Sequence, residues 1–309
     1  MSRRLTRRTL IRSAALASAA HGLGLTRSMI AAPAQKPGIQ HYMMAPEIAK
    51  DAPGTFAKLA AIGYGYIEAF GMAIHSFPEY RKMAADAGLG CPAGHFGLFG
   101  FAPVEKTLDD ASALGVRYAV SSVLLPPSNE PFNWPAIMKK INSFEPDDFK
   151  RMADQANQIG EAAKKRAIQF VYHNHNVEFR KFEGGETGFS IFLKASDPEL
   201  VKIELDAGWA AAGGADPVAI LQHNSSRVRL LHFKDFATLT PVNNEFGGAA
   251  GGQIVDLGAG VAPLKASFFA ARKAGVEHFI VDHDPPFHNQ TAFEAAKVDY
   301  DFVASLIAS

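Results

Sequence analysis

Tyr172-His173-Asn174-His175-Asn176-Val177-Glu178-Phe179 ends a β-branched and aromatic run with two imidazoles and a carboxylate. Three later runs end alike: Glu204-Leu205-Asp206 closes VKIELD, His232-Phe233-Lys234-Asp235 closes VRLLHFKD, and Asp282-His283-Asp284 closes HFIVDHD. Each run is short, apolar and bounded by turn residues, with a helical stretch before the next, which is how buried parallel strands read. Nitrogen and oxygen donors therefore collect at the carboxyl ends of consecutive strands, where a (β/α)8 barrel builds its active site.

Strand parity sharpens the expectation, because residues two apart share a face. His173 and His175 are in phase with Val171, Asp206 with Glu204, His232 with Leu230 and Lys234, and Asp282 with Ile280 and Asp284. If those faces point inward, they converge on one point. Glu178 is out of phase with the histidines and is expected in a loop that turns back over the mouth. One strand-end His or Asp is readily a hydrogen-bonded or helix-capping residue. Four successive endings of this kind point to a metal or catalytic centre.

With these four, which begin near Ile168, Val201, Val228 and His278, further runs near Gly38, Tyr64, Leu89 and Val116 make eight. Ala-x-Gly or Ala-Gly endings, such as Ala61-Ile62-Gly63 and Ala274-Gly275, fit glycine caps of the intervening helices. Residues 35–309 number 275, a length that suits one barrel domain. Most strand spacings are close to thirty residues, but two are close to fifty, after the fourth and seventh strands. The surplus lies in residues 124–145, read as a semi-rigid wall of the pocket, and in the Gly-rich residues 237–260, read as a mobile lid. The glycines of the second segment lack the Lys-Ser/Thr of a phosphate loop.

Residues 1–34 read differently. Thr6-Arg7-Arg8-Thr9-Leu10-Ile11-Arg12 is a twin-arginine pattern, followed by an Ala-rich stretch and by Ala32-Pro33-Ala34, which suits signal peptidase. We expect a Tat signal peptide over 1–34, export by the Tat translocase and a periplasmic mature protein. Replacing Arg7 and Arg8 by Lys should hold precursor in the cytoplasm, and normal periplasmic accumulation of that variant would count against the leader. The leader carries six of the 31 basic residues and no acidic one, so the mature chain has 25 basic against 31 acidic groups, a net charge of −6. That charge argues against nucleic acid as a partner. No later segment reaches the ~18 apolar residues of a membrane span, so no stable membrane insertion is expected. A single cysteine, Cys91, allows no internal disulfide and reads as a small buried hydrophobe.

Taken in order, YHNHNVEF, ELDAGW with Ala215-Asp216-Pro217, LLHFKDF, LGAG and FIVDHDPP resemble the sugar phosphate isomerase/epimerase group of xylose isomerase-like TIM barrels, including its 3-keto-glycoside-processing branch. The resemblance covers about residues 38–305. It implies one divalent metal, commonly Mn²⁺, held by Glu178, Asp206, His232 and Asp282 from strands five to eight. Where the family usually has Glu, Asp282 is one methylene shorter, so either water completes its reach or Asp284 takes its place. The family's Gly-Glu-Gly is also changed, to Gly258-Ala259-Gly260.

The donor types themselves suit Mn²⁺, Mg²⁺, Zn²⁺ or Co²⁺. Such a site suits removal of a proton next to a sugar's carbonyl, and a carboxylate on each face of the sugar makes an isomerase or epimerase. Glu178 and Asp282 are the expected pair. His173, His175, Lys234 and Asp284 are expected to bind substrate, Trp209 to pack on the sugar ring, and Glu68 with His95 to line the far wall. A 3-keto-glycoside lyase or C-glycoside-cleaving enzyme would use the same metal and base but expel a leaving group. A non-catalytic periplasmic sugar-binding protein is the alternative of a different class. An endonuclease IV-like nuclease would need a basic groove. The expected partner is a small sugar or keto-glycoside, with homo-oligomerisation left open.

Overall fold

In a computed structural model of the chain, residues 36–70, 76–97, 103–126, 133–247 and 253–309 are described, and the expected leader lies outside them. Eight parallel strands close on themselves: β1 (Gly38–Gln40), β2 (Tyr66–Phe70), β3 (Ala93–His95), β4 (Tyr118–Ser122), β5 (Gln169–His173), β6 (Val201–Asp206), β7 (Val228–Phe233) and β10 (His278–Val281). Around the barrel they run β1-β10-β7-β6-β5-β4-β3-β2. The two remaining strands, β8 (Asp235–Phe236) and β9 (Ile254–Val255), form a small antiparallel pair within the segment after β7. The fold is a single (β/α)8 barrel, as the strand pattern implies.

Helices cover the barrel: α1 (Ala45–Ile62), α2 (Phe77–Asp86), α3 (Val104–Leu114), α4 (Trp134–Asn142), α5 (Pro146–Lys164), α6 (Gly188–Ala195), α7 (Ala207–Ala212), α8 (Pro217–His223), α9 (Leu264–Ala274) and α10 (Ala292–Ala308). Their starts follow from local chemistry. Thr187 and Thr291 each accept from the backbone three residues on, while Ser190 and Glu294 reach back, which makes two capping boxes. Gly275 ends α9 at φ +80°, a left-handed turn that a side chain would strain.

The interior shows why the parity argument works. Tyr66, Ala93, Val120, Val171, Leu230 and Ile280 form one buried apolar cluster inside the barrel. Two residues further along the same strands stand Glu68, His95, Ser122, His173, His232 and Asp282. One layer of the barrel is thus apolar filling, and the next layer toward the carboxyl ends is polar. Residues of opposite parity, such as Tyr172, Leu231, Phe233 and Phe279, pack outward into the core shared with the helices.

Candidate metal and catalytic site

The polar layer is tightly connected. Glu204 Oε2 lies 2.8 Å from His173 Nδ1, 2.9 Å from His95 Nε2 and 3.2 Å from His232 Nε2. Glu68 Oε2 lies 2.8 Å from His232 Nε2 and 3.4 Å from His95 Nε2. The other nitrogen of His232, Nδ1, is 3.1 Å from Asp282 Oδ2. Lys234 Nζ completes the chain, 3.1 Å from Asp282 and 2.8 Å from Asp284, and it sits 5.4 Å over the ring of Trp209. The backbone of α7 reaches this point closely: a Cβ at Gly208 would come within 2.1 Å of Lys234 O, so only glycine fits.

His173, Asp206, His232 and Asp282 are all buried, and one potential ligand atom from each lies within 4.8 Å of the others. Asp206 Oδ1 caps α7 by accepting from Trp209 N at 2.7 Å, while its Oδ2 is buried with no hydrogen-bond partner among the described residues. A buried carboxylate oxygen left unpaired is costly unless a cation faces it. Two imidazoles and two carboxylates are also the hard, mixed donors that a divalent ion takes. The residues therefore fit a metal. Below them, Glu204 and Glu68 accept from His173 and His232, which fixes each ring's orientation in the manner of carboxylates behind metal-binding histidines.

The charges follow from this packing. Burial opposes ionisation at Glu204 and Asp282 but is outweighed: the His232 charge and a hydrogen bond from His173 hold Glu204 well below the usual carboxylate range, and Lys234 with His232 does the same for Asp282. Burial raises Asp206 to about 7, with the Lys234 charge opposing. His95 is pushed up to about 9, because Glu68 and Glu204 together overcome the burial that disfavours its charge. Burial lowers His173 to about 4 and takes His175 well below the ordinary imidazole value. His175 is therefore neutral at physiological pH, and its Nδ1 has no partner among the described residues.

Above the layer opens a cavity of about 370 Å³, lined on the polar side by His95, His173, His175, Lys234, Asp282 and Asp284, with Trp209 at its flank. The sequence expectations fare unevenly here. Asp206, His232 and Asp282 are gathered, and His173, expected to bind hydroxyls, stands with them in the ligand group. Glu178 is not. It lies in a single 3-10 turn (Val177–Phe179), where its carboxylate accepts from Tyr172 Oη at 2.7 Å and from His175 N at 3.0 Å. Tyr172 faces outward and packs on Phe192 of α6 at 4.3 Å, so Glu178 lies on the helix side of β5, away from the cavity. β5 ends at His173, and the 3-10 turn that follows carries the Glu178 carboxylate to Tyr172 Oη and His175 N. Glu68 is likewise not on a wall: it is fully buried in the layer beneath, against His232.

The segment after β7, expected as a mobile lid, is fastened over its described part. Asn142 brackets Phe246, donating to its carbonyl at 3.1 Å and accepting from its N–H at 2.7 Å. Asn176 donates to the carbonyls of Asn243 and Glu245, and Asn244 to those of Asn176 and Gly213. Further along, Asp235 accepts the N–H groups of Phe236, Gly258, Gly260 and Ala262, which organises the Gly-Ala-Gly turn. His283 points away from Asp282 and meets Asp299 of α10 at 2.9 Å; Asp299 also accepts from Leu257 N at 2.7 Å.

Comparison with known proteins agrees with this architecture. Residues 56–297 match the family model described as xylose isomerase-like TIM barrel. An inosose dehydratase 2 of Bacillus cereus is 30% identical over 101 residues, 32% of each chain, and an inosose dehydratase of Lacticaseibacillus casei is 30% identical over 94 residues, 30% of each. The match thus spans about a third of those relatives' length. Among solved structures, a sugar phosphate isomerase/epimerase from Parabacteroides distasonis superposes with a TM-score of 0.71 at 25% identity, covering 89% of this chain and 96% of that one. The IolI protein with a bound zinc atom shares the fold, with a TM-score of 0.64 at 16% identity over 89% of this chain and 98% of that one. The chain therefore belongs to the xylose isomerase-like TIM barrel family.

Proposed function

We propose that this protein is a metal-dependent enzyme that removes the proton next to the carbonyl of a keto-sugar or keto-glycoside. The observation that carries the reading is the set of four buried donors under an open polar cavity, with one carboxylate oxygen of Asp206 left unpaired. His173, Asp206, His232 and Asp282 would hold the ion, Zn²⁺ or Mn²⁺ by their donor types. When bound, a divalent ion supplies Lewis acidity that stabilises the negative charge building on a carbonyl as its neighbouring carbon loses a proton. Sugar-acting relatives support the substrate class. The expected leader would place this activity in the periplasm.

The chain's own groups divide the remaining work. His175 is placed to be the base: it is neutral and its ring lines the cavity. Lys234, fixed between Asp282 and Asp284, presents a permanent positive charge to substrate oxygens. Asp284 lies on the β10 side of the same cavity, and in its protonated form, which burial favours against the Lys234 charge, it is the group placed to return a proton. If the proton returns to carbon, the enzyme is an isomerase or epimerase.

A second outcome is favoured by the position of Glu178 and by the inosose dehydratase matches. With Glu178 outside the cavity, the expected pair of carboxylates astride the sugar is not present, and the base and acid are unlike groups. Such a pair suits elimination: the C–H proton goes to His175, the C–O bond on the next carbon breaks with its electron pair, and the departing oxygen takes a proton from Asp284. The test is turnover of keto-inositols and 3-keto-glucosides in deuterated water, with and without added metal. Expected results are solvent deuterium next to the carbonyl or an enone product, both lost on chelation. Undiminished turnover after complete removal of metal would sink the proposal.

A further inference from the structure

The floor of the cavity is polar, but its upper walls are aromatic. Tyr42, in the single 3-10 turn His41–Met44 after β1, and Phe70, at the end of β2, stand with ring centroids 5.8 Å apart. Trp134, at the start of α4, and Phe246, in the segment after β7, form a second pair at 5.8 Å, and Phe246 packs at 4.7 Å on His175 just beyond β5. All four rings line the cavity that holds His175, Lys234 and Asp282. In the closed strand order, β5 and β6 stand diametrically opposite β1 and β2. The two aromatic pairs therefore face one another across the mouth, with the polar group between and below them.

Three observations show what such a slot accepts. The hydroxyls of a sugar need hydrogen-bond partners, and those are concentrated on the floor. Tyr42 and Trp134 stay 47% and 41% exposed at the rim of this cavity, so both rings still present apolar surface there. Finally, Trp134 and Phe246 come from the two segments that make this barrel longer than its strands require, so the second wall is an addition to the basic fold.

We propose that the mouth is a subsite for a planar aromatic group attached to the sugar, so that the substrate is an aryl keto-glycoside. The keto-sugar ring sits on the floor, and the aglycone lies between Tyr42 and Phe70 on one side and Trp134 and Phe246 on the other. Stacked or edge-on ring contacts on both faces give the aryl group its affinity. The proposal rests on the floor being a keto-sugar site, and the experiment separates the two.

The metal-loaded full chain is titrated calorimetrically with phenyl and methyl glucosides, in both anomers. These are unoxidised and so report binding alone. Turnover of free keto-sugars is measured in parallel. The phenyl compound of one anomer should bind roughly tenfold or more tightly than its methyl counterpart, the scale of two good aromatic contacts. Trp134→Ala and, from the opposite wall, Tyr42→Ala should each bring the phenyl-to-methyl ratio toward one. Both positions are exposed enough for the variants to fold. Equal affinities in the unmodified chain, or a ratio that neither variant moves, would overturn the slot. So would turnover of free keto-sugars with no binding of either glucoside, and the floor reading would then stand alone. A phenyl preference without any keto-sugar turnover supports the slot and counts only against the floor.

Discussion

Purified His173→Ala and Asp206→Ala should carry little of the divalent metal that the unmodified chain retains, and their turnover should fall with it. Each loses a donor from a buried set of four, and even residues behind such ligands typically cost about 10 to 100-fold in metal affinity when changed. Glu178→Gln should behave oppositely, keeping its metal but losing stability. The Gln amide can still accept from Tyr172, but its NH₂ would confront the His175 N–H, and a buried donor left unpaired costs about 1 to 3 kcal/mol. The pH dependence adds a signature. Burial raises the Glu178 pKa to about 7 from 4.5, so its contribution to stability is fully present below pH 4.5 and is lost as pH rises through 7. Gln does not titrate, so the stability gap between the two proteins should narrow above neutral pH. Elemental analysis and pH-resolved thermal denaturation measure both effects. Full metal content in folded His173→Ala and Asp206→Ala would refute this seat, and metal loss in Glu178→Gln would return Glu178 to it.

His175→Gln should lower turnover by about 10² to 10⁴-fold, the usual scale for a positioned general base, while metal content is unchanged. The separation of the two readouts is the point of the experiment. His175 neighbours His173 at a ring distance of 5.0 Å but is outside the four-donor set, so the ion should survive its loss. Solvent-deuterium exchange should collapse in step with turnover. A variant that exchanges and turns over normally would remove His175 from the mechanism.

The barrel was legible because parity is enforced physically. Val171, Leu230 and Ile280 fill the interior, and that filling obliges His173, His232 and Asp282, two residues on, to face the same way. The rule does not reach Glu178, because β5 ends at His173 and alternation stops where the chain leaves the strand. The expectation that its loop would turn back over the mouth failed because Tyr172 Oη offers a buried partner close at hand. Glu204 is the residue whose role sequence reasoning missed. Its parity with Asp206 was plain, but only the closed barrel shows that one oxygen serves His95, His173 and His232 together. The aromatic walls were also hidden, since Tyr42 and Trp134 are distant in sequence and meet one cavity only through the strand order.

The fastening of the segment after β7 has a bearing on how this protein would respond to its surroundings. Asn142, Asn176 and Asn244 make the bonds that hold residues 243–246 in place, and all are neutral amides giving to or taking from the backbone. Amides neither titrate between pH 5 and 9 nor respond to ionic screening as charged pairs do. The wall that carries Phe246 should therefore keep its shape in acid or brine, while the proton inventory of the floor shifts beneath it. In a compartment whose acidity and salt follow the outside medium, recognition would hold steady and only the rate of chemistry would vary.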